Sequence, residues 1–184
     1  MKKILVILVV LLAVFAFVSC KQEPEPDNTP VVENGGTLTI RPAVANPEDP
    51  EPAIDWGTQT GKFQFKLKQE VSGIQTIAFL AKVSDDVTKV EVRDGSTTTT
   101  WGSVTIADST PEDGWYSFSV ESLEDTECDY IAITVRVVQN PNVFIQIKNL
   151  KIDGKIVDFS EWNPATDVGP WYDVPSKVDA TYTE

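Results

Sequence analysis

From about residue 60 onward, apolar and polar side chains alternate one by one. Phe63, Phe65 and Leu67 interleave with Lys62, Gln64, Lys66 and Lys68, and Val90 and Val92 with Lys89, Glu91 and Arg93. Val104 and Ile106 interleave with Trp101, Ser103 and Thr105, and Tyr116, Phe118 and Val120 with Trp115, Ser117 and Ser119. Ile131, Ile133, Val135 and Val137 do the same with Tyr130, Ala132, Thr134 and Arg136, as do Val143, Ile145 and Ile147 with Phe144, Gln146 and Lys148. Side chains of an extended chain point to opposite faces in turn, so each run predicts a strand with one buried face. Residues 74–83 are apolar at both parities, which predicts a strand covered on both faces, with a short helix as the competing reading. Residues 37–40 alternate briefly and predict a first strand.

Turn chemistry separates the runs at Asp94-Gly95, Asp113-Gly114, Asn140-Pro141 and Asp153-Gly154. The last sits between Lys151-Ile152 and Lys155-Ile156-Val157, as a two-residue hairpin would. About nine strands with almost no helical pattern predict an all-β fold. Two packed antiparallel sheets bury one face of every strand, so the expected architecture is a two-sheet antiparallel β-sandwich of jelly-roll type. Residues 160–184, with Trp162, Trp171 and Tyr172 among prolines and aspartates, predict a tail wrapped across it.

The expected domains are a leader over 1–19, a proline- and acid-rich tether and loop over 20–58, and the sandwich over 59–184. Residues 21–36 carry acids and prolines but few large apolar groups, so burial cannot offset the entropy of ordering them. The leader opens on Lys2 and Lys3, continues as an apolar run over 4–18, and ends at Ser19 before Cys20. That run is short for a bilayer span, which takes roughly 20 apolar residues. Phe17-Val18-Ser19-Cys20 resembles the lipobox of bacterial lipoproteins, with Phe17 where the family more often has leucine. The resemblance implies cleavage before Cys20, thioether lipidation of its sulfur and acylation of the new amino terminus. It thereby implies a lipid-anchored protein of the bacterial cell envelope, in the outer membrane or at the cell surface rather than in the inner membrane. An ordinary secretory leader with an unrelated cysteine, or an uncleaved helix, is the alternative.

Charge narrows the partners. With 28 acids against 15 bases the chain carries −13, a surface that repels phosphate backbones, so nucleic acid is not an expected partner. The chain contains no histidine, which excludes histidine-based triads and histidine-ligated metals. It has no glycine-rich phosphate loop. A pair of carboxylates could still cleave a glycosidic bond, but nothing selects one pair from so many acids, and no catalytic residue is expected. Asp85-Asp86, Glu124-Asp125 and Asp153 lie near turns where calcium would find oxygens, yet no spacing matches a calcium loop, so no cofactor is expected. Cys128 reads as an inert thiol among acidic neighbours.

Aromatic placement is the remaining signal. If the aliphatic residues of each run point inward, Trp101, Trp115 and Tyr130 point out, beside Arg136, Gln146 and Lys148. Flat rings flanked by amide and charged groups suit sugars, whose C–H faces stack while their hydroxyls hydrogen-bond. The plainer reading is a second small core under the tail or the proline-rich loop. The run from Gly114-Trp115-Tyr116 through Tyr130-Ile131-Ala132-Ile133-Thr134 to residues 143–154 looks like the closing strands of jelly-roll carbohydrate-binding modules. That likeness implies the sandwich more than a ligand, since one fold hosts many functions. The outward aromatics and their polar neighbours lead to the expectation of non-catalytic binding of a polysaccharide or oligosaccharide. An envelope lipoprotein holding a protein partner is the alternative, and a small carboxylate-dependent glycan-cleaving enzyme a third.

Overall fold

The structure is a computed structural model describing residues 35–43, 61–73, 76–97, 99–121, 126–138, 142–171 and 177–184. The expected leader, Cys20 and most of the tether lie outside the described residues, as do the Asn140-Pro141 turn and Tyr172.

The described residues form thirteen strands. In chain order these are β1 (Thr37–Pro42), β2 (Lys62–Leu67), β3 (Val71–Gly73), β4 (Ile77–Val83), β5 (Val87–Asp94), β6 (Thr100–Thr105) and β7 (Tyr116–Val120). They continue as β8 (Thr126–Cys128), β9 (Ile131–Val137), β10 (Ile145–Ile152), β11 (Lys155–Ile156), β12 (Val168–Pro170) and β13 (Val178–Thr183). One sheet runs β13-β1-β10-β4-β7, with β11 hairpinned onto β10, and the other runs β12-β2-β9-β5-β6, while β3 and β8 pair separately. Setting aside the short strands β3, β8 and β11 and the edge strands β12 and β13, the remaining eight in chain order run 1-8-3-6 in one sheet and 2-7-4-5 in the other. That is the jelly-roll order, and every pairing in it is antiparallel. The fold is therefore the all-β sandwich that the alternation predicts.

The core is the set of inward positions. Leu38 and Ile40, Phe63, Phe65 and Leu67, Ile77 and Phe79, Ile131 and Ile133, and Ile145 and Ile147 are all buried. Phe79 of β4 stacks on Phe118 of β7 at 4.8 Å between ring centroids. Burying each such side chain stabilises by about 1.5–3 kcal/mol. At the β6–β7 edge the sheets close tightly: a Cβ on Gly102 would lie 2.8 Å from Val120 Cγ2, so any larger residue there requires Val120 to shift.

Residues 77–83 are a strand between β10 and β7, which settles the competing helical reading of that stretch against a helix. The segment read as a wrapping tail instead contributes an edge strand to each sheet, β12 beside β2 and β13 beside β1. Val178, Ala180 and Tyr182 alternate with Asp179, Thr181 and Thr183 and pack against the core. The alternation was present in the sequence, but one of its apolar members is only an alanine. Before β12, Phe159 is fully buried with Trp162 edge-on at 4.9 Å, and the Asn163 carboxamide oxygen caps the helical turn Pro164–Asp167. Ile106 leaves the strand pattern and begins a 3₁₀ turn.

Candidate functional site

The outer face of the β13-β1-β10-β4-β7 sheet assembles the first candidate surface. Its register sets Thr39 beside Gln146 and Gln146 beside Lys82, then Lys148 beside Leu80 and Leu80 beside Ser117. Gln146 Nε2 donates to Thr39 Oγ1 at 3.1 Å, which fixes the carboxamide across the β1–β10 pair.

Trp115 joins this face through a turn. Glu112 and Trp115 exchange backbone hydrogen bonds of 3.0 and 2.9 Å around Asp113-Gly114, whose φ angles are 51° and 81°. Two positive φ values in a two-residue loop suit asparagine, aspartate and glycine, so the turn expected at this dipeptide is formed. It sets Trp115 one residue before β7, at the outward parity of Ser117 and Ser119, where the indole is half-buried. Lys148 Nζ stands 4.0 Å from the ring centroid. Such a cation–π contact contributes about 0.5–1 kcal/mol at an exposed site and steadies both groups. Lys82 runs alongside the hairpin, its Cε 3.7 Å from where a Cβ of Gly114 would be.

At the opposite side of the same face, an open depression of about 580 Å³ is lined by Thr39, Arg41, Asp179 and Thr181 and, around the β13 edge, by Ala165, Val178 and Ala180. Trp115 and this depression are thus the two ends of a polar track across five strands, about 19 Å long at a strand spacing of about 4.8 Å.

The β12-β2-β9-β5-β6 sheet presents a different outer face. Glu91, only 8 % exposed, receives Lys89 Nζ at 3.2 Å, Arg93 Nη2 at 3.0 Å and Arg136 Nη2 at 3.1 Å. Burial by itself would raise the Glu91 carboxyl. Hydrogen bonds from Arg93 and Lys89 and the charges of Arg136 and Arg93 outweigh it and hold the group below its ordinary range. Gln64 Nε2 donates to Thr134 Oγ1 at 3.0 Å, both buried. Lys66 Nζ lies 4.1 Å over the Tyr130 ring. Tyr130 O accepts from Gly95 N at 3.1 Å and from Cys128 Sγ at 3.2 Å. Trp171 Nε1 donates to Gly95 O at 3.3 Å, and the ring is buried. Burial pushes the Cys128 thiol up, away from thiolate chemistry. Polar groups on this sheet largely satisfy one another.

Of the residues singled out in the sequence, Trp115, Gln146 and Lys148 are brought together. Tyr130 and Arg136 belong to the opposite sheet, near the two ends of β9, and share no surface with Trp115. Trp101, expected outside, packs against the core. The cause is a register shift between Val92 and Arg93: Val92 pairs with Gly102 and Arg93 with Thr100, which leaves Trp101 as the extra residue. A bulge moves the side chains beyond it out of simple alternation. Lys82, Thr39 and Arg41 were missed because their places on the face depend on which strands are neighbours. Cys20 lies outside the described residues.

Among the described residues, no group of three or more aspartate, glutamate or cysteine side chains is placed to hold a metal ion. Among them too, no helix is long and apolar enough to cross a membrane.

Known proteins add little to this geometry. No family model matches the chain, and no curated protein does. Among solved structures it is similar to the CBM36-1 domain of a multidomain xylanase from the hindgut metagenome of Trinervitermes trinervoides. The identity is 14%, the match covers 64% of this chain and 96% of that one, and the TM-score is 0.32. A likeness at that level says nothing of what this chain binds.

Proposed function

We propose that this chain is a non-catalytic glycan-binding β-sandwich, tethered to the bacterial cell envelope by lipid on Cys20. The observation that carries the binding role is Trp115, a half-buried indole held on an outer sheet face by a two-residue turn and braced by Lys148. An indole in that position offers a flat apolar surface to the C–H face of a pyranose ring. Lys148, Lys82, Gln146 and Thr39 then supply donors and acceptors to the hydroxyls at the ring's edge. The track from Trp115 to the Arg41 depression has the length for several sugars of one chain laid across the strands. Binding needs no cofactor and no catalytic step in this scheme.

Affinity gel electrophoresis of the purified chain in gels cast with individual polysaccharides tests it. At least one glycan retards the wild type, and Trp115→Ala abolishes that retardation while its thermal midpoint stays within a few degrees of wild type. No retardation by any glycan, together with a stoichiometric protein partner recovered from envelope extracts, would replace the reading with a protein-binding one.

A further inference from the structure

The outer face that carries Trp115 is basic on a protein whose sequence is strongly acidic, at −13 overall. Outward positions on its strands hold Arg41 on β1, Lys82 on β4, and Lys148 and Lys151 on β10, against a single acid, Asp179 on β13. None of these cations closes an ion pair. The ion pairs among the described residues are Lys68 with Asp167, and Lys89, Arg93 and Arg136 with Glu91. Asp179 faces Arg41 directly across the β1–β13 register without engaging it. Glu112 and Asp113, the acids nearest Trp115 in sequence, stay unpaired with Lys82 and Lys148.

The two sheets differ in what their outward cations face. On one, Lys89, Arg93 and Arg136 neutralise the buried Glu91, while Lys62 and Lys66 stay outside the ion pairs beside buried Gln64 and Thr134, with Lys66 over the Tyr130 ring. On the other, Arg41, Lys82 and Lys151 are exposed and Lys148 lies over the half-buried Trp115 ring, with no carboxylate buried among them. Unpaired cations gathered on one face attract a ligand that brings its own anions.

We propose that the ligand of this face is a polyuronate, a polysaccharide carrying a carboxylate on each sugar; the proposal rests on the glycan-binding reading of the same face. A uronate chain has what the site asks for at both ends. Each ring keeps an apolar C–H face for Trp115, and its carboxylates recur at a repeat comparable to the strand spacing of about 4.8 Å. A chain crossing β7, β4, β10 and β1 along the row of Lys82, Gln146 and Thr39 has Lys148 on one side of it and Arg41 on the other. The protein's overall negative charge also opposes any polyanion at long range, so attraction is local to the face and sensitive to salt.

The test is affinity electrophoresis of the purified full chain in gels containing pectate, alginate, fully methyl-esterified pectin or neutral xylan, at low and at high sodium chloride. Pectate or alginate retards the protein, methyl-esterified pectin does so at least tenfold less, and high salt weakens the retardation. Lys82→Gln and Lys148→Gln each weaken polyuronate binding about two- to fivefold, as loss of an exposed ion pair does. Lys62→Gln, on the opposite sheet, makes the same change in net charge and leaves binding unaltered. Equal binding of pectate and its methyl ester, or binding of xylan alone, overturns the polyuronate assignment while leaving the glycan role intact. Retardation by none of the four, nor by any other polysaccharide, overturns both.

Discussion

Glu91 and Trp115 both sit at outward parity, yet the first is enclosed by cations of the fold while the second stays half-buried on an outer face. The Glu91 carboxyl is buried among Lys89, Arg93 and Arg136, and its pKa is held below the ordinary value of 4.5. A lowered folded-state pKa stabilises the protein above the unfolded-state value, and that stability is lost as pH falls through the folded one. The thermal midpoint should therefore drop as pH falls below about 4.5. Glu91→Gln should lower stability near neutral pH by about 1–3 kcal/mol, since it leaves cations facing a neutral amide, and should flatten the acid limb of a pH–stability curve. A variant with the same acid dependence as wild type would remove Glu91 from that account. At this scale the sequence was only half legible. Trp115 obeys alternation because a turn, visible as Asp-Gly, resets the chain just before it. Trp101 breaks alternation because a bulge, which leaves no mark in composition, slips the register under it.

Strands were the most readable elements, because burial of one face imposes period two on the residues themselves. Every run that alternated cleanly from residue 62 onward falls in or beside a strand, and the Asp-Gly turns at 113–114 and 153–154 have the positive φ values their residues favour. Edge strands were harder. β12 has three residues and β13 presents one small side chain among its inward positions, so neither stands out from a proline-rich tail. Pairing order was not readable at all: nothing local tells Gln146 that its neighbours are Thr39 and Lys82, and with that the candidate face was invisible beyond Trp115, Gln146 and Lys148. The β4–β7 pair is the element on which that face depends. Phe79→Ala removes one half of the Phe79–Phe118 stack under it and should cost about 3–5 kcal/mol, read as a lowered denaturant midpoint at unchanged m-value. A loss under 1 kcal/mol would mean the stack is not the support it looks to be.

For the whole molecule, the proposed role joins a lipid to a binding face. Two or more acyl chains give stable anchoring, at about 0.8 kcal/mol per buried methylene, where one gives only marginal attachment. In a detergent phase-separation of bacterial membranes the wild type should enter the detergent phase, and Cys20→Ala should move to the aqueous phase without altering glycan retardation by the same protein. A wild type found in the aqueous phase would sink the anchor and leave the sandwich untouched. The anchor and the binding face are thus separable by experiment, as they are in the sequence, where the leader ends before Cys20 and the outward residues of the face start well beyond it.

β1 lies between β10 and β13, pairing Thr37 with Lys148 on one side and with Thr183 on the other. The earliest described strand therefore has no backbone partner until residues more than a hundred positions later have been made. Such non-local closure slows folding. Local pairs such as β5 with β6 can form early, but the sheet that carries Trp115 is complete only after β10 and β13 have been made.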